Sequence, residues 1–192
     1  MKLKKIRYNA PVVLTFTLIA FVVLIIGYFT GMKSTQMFFT VYRTSFADPL
    51  QYVRLFTHVL GHADFQHFSG NFMIILIIAP MLEEKYGSRN ILLIIIFTAF
   101  ITGLFNVLLF DTGLLGASGI AFTFILLGSF VNVKDRNEIP LTLIIVAAFY
   151  IGNEIVAGIF SKDNISQITH IIGGICGCVF GYILNTKKSE NV

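Results

Sequence analysis

One hydroxyl, that of Ser118, stands between three small residues in the run Gly116-Ala-Ser-Gly119 at the start of an apolar stretch. Gly116, Ala117 and Gly119 remove bulk on both sides, so a neighbouring helix can approach closely and a substrate carbonyl can reach the serine and its N–H. Taken alone this is ordinary helix packing, and the histidines change its meaning. His170 heads a run with Gly173, Gly177 and Gly181 on one helix face, a spacing that lets two helices touch backbone to backbone. Set against Ser118, His170 would take the serine proton as general base and return it to a leaving amine as general acid. His67 and Asn71 are four apart, hence on one helix face. With the Ser118 N–H they are candidate donors to a tetrahedral oxyanion. No carboxylate neighbours His170: Asp163 is one loop away and Glu154 lies in the preceding segment, so a dyad is expected rather than a triad.

The elements that position these groups must lie in a bilayer. With 192 residues, 56% hydrophobic and 12% charged, and a mean hydropathy of +0.82, the chain has too little polar surface to cover a soluble globule. A helix crossing the hydrocarbon needs about 20 apolar residues. Six such segments are expected, at about 10–31, 67–86, 90–110, 114–133, 141–160 and 165–184, with an aromatic, interfacial first loop at 32–66 carrying short amphipathic helices. Pro80 predicts a kink or early stop in the second segment. The glycine at Gly27 is expected to be tolerated in the first, since membrane helices carry more glycine than soluble ones. Short charged loops are expected at 133–140 and 161–164. The fold class is therefore an all-α polytopic membrane protein, a single domain over 1–192.

The amino end, Met1-Lys-Leu-Lys-Lys-Ile-Arg, followed by an apolar run resembles a signal peptide. The run is long enough to span and lacks a small-residue cleavage site, so a retained anchor is expected. With the amino end inside, ten Lys and Arg residues fall on the inner side and four (Lys33, Arg43, Arg54, Lys162) on the outer. This places both termini in the cytoplasm. The net charge of +4 reads as a topology signal and not as a nucleic-acid surface, because the basic residues form no stripe. Cys176 and Cys178, two apart on a helix and so about 200° apart around it, predict no intramolecular disulfide.

Under this topology His67 with Asn71, Ser118 and His170 lie near the amino ends of three segments that run inward. Ser118 and His170 each follow an aspartate by seven residues, about 10 Å along a helix at ~1.5 Å per residue, which makes them level. Polar groups at such depth are costly unless they pair or face water, so the cluster is a functional candidate. A metal site is the rival: His58, His62 and His67 with Asp64 offer ligands, but Val59 stands where the general-base Glu of His-Glu-x-x-His would be. No metal and no cofactor is expected.

These residues resemble the rhomboid family of intramembrane serine proteases, in its six-helix bacterial form, over about Gln51 to Tyr182. The resemblance rests on Arg54-Leu-Phe-Thr-His58, Gly61-His62, His67-Phe-Ser-Gly-Asn71, Glu83 with Gly87, Gly116-Ala-Ser-Gly119 and His170-Ile-Ile-Gly-Gly-Ile-Cys-Gly177. It implies Ser118 as nucleophile, His170 as general base, and His67 and Asn71 as oxyanion donors. It also implies Phe122 as an aromatic packed on the catalytic histidine and Arg54 as a brace of the first loop. Val53 departs from the usual Trp before that arginine, Ala79-Pro80 from small residues, and Thr169 from the usual Ala before the histidine. The implied activity is cleavage of transmembrane protein substrates near the outer face of the cell membrane, at helix-destabilised segments with a small residue before the scissile bond. Membrane lipid is the expected surrounding, with no nucleic acid. A non-catalytic rhomboid-like binder of membrane proteins and a small transporter are the alternatives.

Overall fold

The computed structural model describes residues 7–45, 47–131, 133, 139–160 and 165–189, with the backbone alone at 150–151, 153–160, 165–166 and 186–189. Most of the two charged loops expected near 133–140 and 161–164 lies outside the described residues. So do the lysines at positions 2, 4 and 5 and the side chains of Glu154, Lys187 and Lys188. The regular elements among the described residues are helices: α1 (Pro11–Phe29), α2 (Lys33–Phe38), α3 (Pro49–Thr57), a 3₁₀ turn (His58–Leu60), α4 (Phe65–Tyr86), α5 (Ser88–Leu109), α6 (Ser118–Gly128), α7 (Leu141–Phe160) and α8 (Ile165–Ser189). Among the described residues four stretches, α1, α4, α5 and Gln167–Asn185 of α8, are long and apolar enough to cross a membrane. The chain is accordingly a multi-pass helical membrane protein.

One expectation about helix extent is corrected. The helix containing Ser118 does not run from 114 to 133; α6 has 11 residues, about 16 Å at ~1.5 Å per residue, against a hydrocarbon thickness of ~30 Å. Residues 111–117 are an irregular segment instead, tied down where Val41 and Leu114 exchange N–H···O bonds of 2.9 and 2.8 Å. Asn106 of α5 clamps that pairing, its amide donating to Val41 O and Thr112 O. The depth of Ser118 therefore does not follow from helical rise past Asp111. Helix α4 runs through Pro80 to Tyr86, the end expected for the second segment, so the proline makes no early stop; membrane helices tolerate proline where neighbouring groups satisfy the freed backbone.

The first loop is turned inside out. In α3, Gln51 and Arg54 are buried while Tyr52, Val53 and Phe56 face outward, as suits an element lying against lipid. Asp48 caps α3 by accepting from Leu50 N at 2.9 Å. Arg54 donates to Met37 O (2.7 Å) and Asp48 Oδ2 (3.1 Å), and its guanidinium lies 4.6 Å from the Tyr42 ring centre. Outward-facing Val53 leaves no internal partner unfilled where the family usually has Trp.

At the other end of the bundle, Glu83 caps a helix that has no cap of its own. Ala10, at the N-cap of α1, offers no side-chain acceptor, and both oxygens of the buried Glu83 carboxylate accept from Val12 N and Val13 N at 2.9 Å. Ser88 Oγ donates to the same group at 2.6 Å. A carboxylate at a helix N-terminus satisfies free N–H groups and meets the positive end of the dipole.

The core lies around α6, with Ile120, Ala121, Phe124 and Leu127 all buried, and α6 packs against α4, α5 and α8. Helix α8 packs on α6 through its glycines. A Cβ at Gly173 would collide with the Gly119 carbonyl oxygen and lie 3.0 Å from Gly119 Cα; one at Gly177 would collide with Thr123 O and lie 3.1 Å from Leu126 Cβ. Glycine meets glycine at Gly173 and Gly119. Gly113 faces Thr40 and Gly116 faces His67, so neither lies in the α8 contact. The Thr123 hydroxyl bridges the two helices, shared between Gly119 O (2.9 Å) and Gly173 O (2.8 Å). Gly27 is no neutral lipid-facing position either, since a Cβ there would lie 2.6 Å from Thr35 Oγ1.

Gly173→Val and Gly177→Val are each expected to lower stability by about 2 kcal/mol or more, as overpacking of a close backbone contact does. Gly152→Val in α7, where a Cβ meets nothing within 4 Å, should be neutral. Thermal midpoints in detergent check this, and wild-type midpoints for both α8 variants would refute the contact.

Candidate active site

The site is built where the irregular segment 111–117 turns into α6. Gly116 has φ +122°, a conformation that glycine alone adopts without strain. A Cβ there would lie 2.7 Å from His67 Nε2 and 3.6 Å from Asn71 Nδ2. The missing side chain is thus the space into which α4 projects both groups. Asp64, capping α4 through His67 N at 2.7 Å, sets the start of that helix. Ser118 follows two residues later as the first residue of α6. Its hydroxyl takes part in no hydrogen bond among the described residues.

Helix α8 brings His170 to the same place. Its ring centre lies 4.5 Å from that of Phe122, one helical turn beyond Ser118. The preceding residue, Thr169, lies against Gly119: a Cβ there would be 3.6 Å from Thr169 Cγ2. The side chain that departs from the family's alanine is therefore received by a glycine. His67 is within electrostatic reach of His170. Gly116 of the segment 111–117 thus lies beside His67 and Asn71 of α4, and Phe122 of α6 beside His170 of α8, while Arg54 braces the first loop.

One buried group at this site is left unsatisfied. The Asn71 side chain is 9% exposed, and its Nδ2 has no hydrogen-bond partner. An unpaired buried donor costs on the order of 1–3 kcal/mol, and such groups call for a functional reason.

The role of His62 was invisible in the sequence. Its ring is fully buried, stacked edge-on to His67 at 5.0 Å between centres, and its Nε2 accepts from Ala117 N at 3.3 Å. Its Nδ1, 3.3 Å from Leu60 O, must then carry the proton. The next N–H back, that of Gly116, donates to His58 O at 3.0 Å. Two loop groups therefore hold the backbone that presents Ser118. No periodicity marks a histidine that acts as an acceptor to a main-chain N–H 55 residues away. Among the described residues no three His, Cys, Asp or Glu side chains gather as a metal would require.

These features define a polytopic helical membrane protein with a polar cluster at the head of a short, buried central helix. The family model described as the Rhomboid domain matches residues 49–187, and the chain belongs to the rhomboid family, whose members are generally intramembrane serine proteases. The comparison with curated proteins gave no match.

Burial, and next the charge of His67, push the His62 pKa down from 6.5 to about 4; burial does the same to His58. The unfolded chain then binds protons between pH 6.5 and about 4 that the folded chain does not, so stability is level above this window and falls as pH drops through it. Thermal midpoints measured from pH 7.5 to 4.5 should fall, and less steeply in His62→Gln. A flat profile, or an unchanged slope in the variant, would contradict a neutral, accepting His62.

Proposed function

We propose that this chain is an intramembrane serine endopeptidase that cuts transmembrane protein substrates near the outer face of the cell membrane. In this reading residues 1–192 form one domain of six membrane segments, α6 and α7 completing the set, with both termini cytoplasmic. The observation that supports it most is the buried, unpartnered amide of Asn71, set with His67 beside the glycine two residues before Ser118. A donor held without an acceptor in the resting protein is what stabilisation of a transient oxyanion needs, because its partner appears only in the transition state.

Ser118 Oγ would attack the scissile carbonyl carbon, passing its proton to His170. The carbonyl oxygen, now negative, would accept from His67, Asn71 Nδ2 and the Ser118 N–H. Collapse would break the C–N bond as His170 protonates the departing amine. A water activated by His170 would then hydrolyse the acyl-enzyme. Phe122 would hold the imidazole, and the Gly116 and Gly119 gaps would admit the substrate backbone.

A second reading, a non-catalytic rhomboid-like binder, draws on the Ser118 hydroxyl having no hydrogen bond here. Catalytic hydrogen bonds commonly tighten only when substrate is bound, so this weighs less than the Asn71 amide. A serine-directed fluorophosphonate separates the two: labelling of Ser118 is expected, and a binder or a transporter would not be labelled. Ser118→Ala and His170→Ala should each lower cleavage of a reporter transmembrane substrate on the order of 10⁴-fold or more, with the double variant no worse than either, as groups acting as one unit do. Near-normal turnover by Ser118→Ala would end the protease reading.

Asn71→Ala and His67→Ala should reduce kcat by about 10²- to 10³-fold each with little change in KM, as lost oxyanion donors do. A rise in KM at unchanged kcat would assign them to substrate binding. Loss of activity to a chelator with recovery on adding zinc would make the histidines ligands.

A further inference from the structure

We infer that an apolar groove between α1, α5 and the first loop holds one acyl chain of an anionic phospholipid, whose headgroup meets Arg7 and Arg89. The groove is a cavity of about 430 Å³ whose lining includes Val12 and Phe16 of α1, Leu92 and Ile96 of α5, and Phe56 and Leu60 of the first loop. The one hydroxyl in its wall, Thr15, is already hydrogen-bonded to the Tyr8 hydroxyl at 2.9 Å. Water gains too few partners in such a space, and an empty one forfeits the dispersion contacts of its lining. A hydrocarbon chain is the occupant that fits. Phe56, stacked on Phe100 at 5.5 Å between ring centres, lines the groove at its loop end, and Pro11, Val12 and Leu92 line it where α1 and α5 begin.

That end carries the charge that selects the headgroup. Glu83 draws Val12 N, Val13 N and Ser88 Oγ to a single carboxylate, so the first turns of α1 and α5 lie side by side. Arg89 follows Ser88 and stands one turn before the groove residue Leu92; Arg7 lies four residues before Pro11. Both arginines are exposed and make no hydrogen bond or ion pair among the described residues. The oxygens of Glu83 are engaged by their three donors. Two unpaired guanidinium groups beside the mouth of a hydrocarbon-lined groove complement a phosphate ester attached to an acyl chain. This inference does not depend on the protease assignment.

The test uses the full chain, delipidated in detergent, with its thermal midpoint titrated against phosphatidylglycerol, phosphatidylcholine of the same chains, and glycerol 3-phosphate. Phosphatidylglycerol should act at a concentration on the order of tenfold lower than phosphatidylcholine, and glycerol 3-phosphate should do nothing. Arg7→Gln with Arg89→Gln, both surface changes, should abolish the preference while keeping the response to phosphatidylcholine. Ile96→Trp, which fills the groove from a residue 43% exposed, should weaken the response to both lipids. Equal potency of the two lipids on the wild type, a preference surviving in the double arginine variant, or an equal rise with glycerol 3-phosphate would each overturn the proposal. Displacement of bound phosphatidylglycerol by a substrate transmembrane peptide would assign the groove to substrate and overturn it too.

Discussion

Everything at the candidate site depends on how closely α8 can lie on α6. At Gly173 there is no room for even one carbon between the helices, because the Gly119 carbonyl oxygen occupies the place a Cβ would take. In a bilayer this contact gains nothing from the hydrophobic effect, since lipid chains are as apolar as leucine; packing and interhelical hydrogen bonds must supply it. The shared Thr123 hydroxyl adds the polar part. Gly119 follows Ser118 and Gly173 lies one turn past His170, so the contact that joins the helices adjoins both candidate residues along the chain.

The second constraint is the shortness of α6. A helix of about half the hydrocarbon thickness cannot carry its end to the surface, so its first turn needs partners for its N–H groups inside the protein. The segment before it finds them in the first loop: His58 O takes the Gly116 N–H and His62 Nε2 takes the Ala117 N–H. The loop in turn is held by Arg54 on Met37 O and Asp48, and by Asn106 at the Val41–Leu114 pairing. Residues with no part in chemistry therefore fix the backbone from which Ser118 projects. A neutral His62 is needed for this, which ties the integrity of the site to pH.

Much of this was legible in advance for a simple reason: hydrophobic runs of helix length and glycines at every fourth position are local patterns with one physical meaning each. They located α1, α4, α5, α7 and α8 to within a few residues and predicted that Gly173 and Gly177 would face α6. The same logic failed where a tertiary partner overrode the local pattern. Residues 114–117 are apolar and small enough to continue a helix, yet Leu114 pairs with Val41 instead. Pro80 stays inside a helix that its own chemistry would break.

The sequence by itself determined the environment and the reactive groups: a chain this apolar must lie in a bilayer, and one serine, four histidines and one asparagine at or near the starts of apolar segments limit what chemistry is possible there. Only the tertiary structure decided what each polar group does. The His62 ring and the Glu83 carboxylate bind main-chain groups of elements remote in sequence, and the His58 ring meets the Thr102 hydroxyl, whereas the Asn71 amide is buried with its N–H groups left unpaired. A hydrogen bond is directional over about 3 Å, and a residue's type and spacing carry no record of which distant backbone will be brought within that distance.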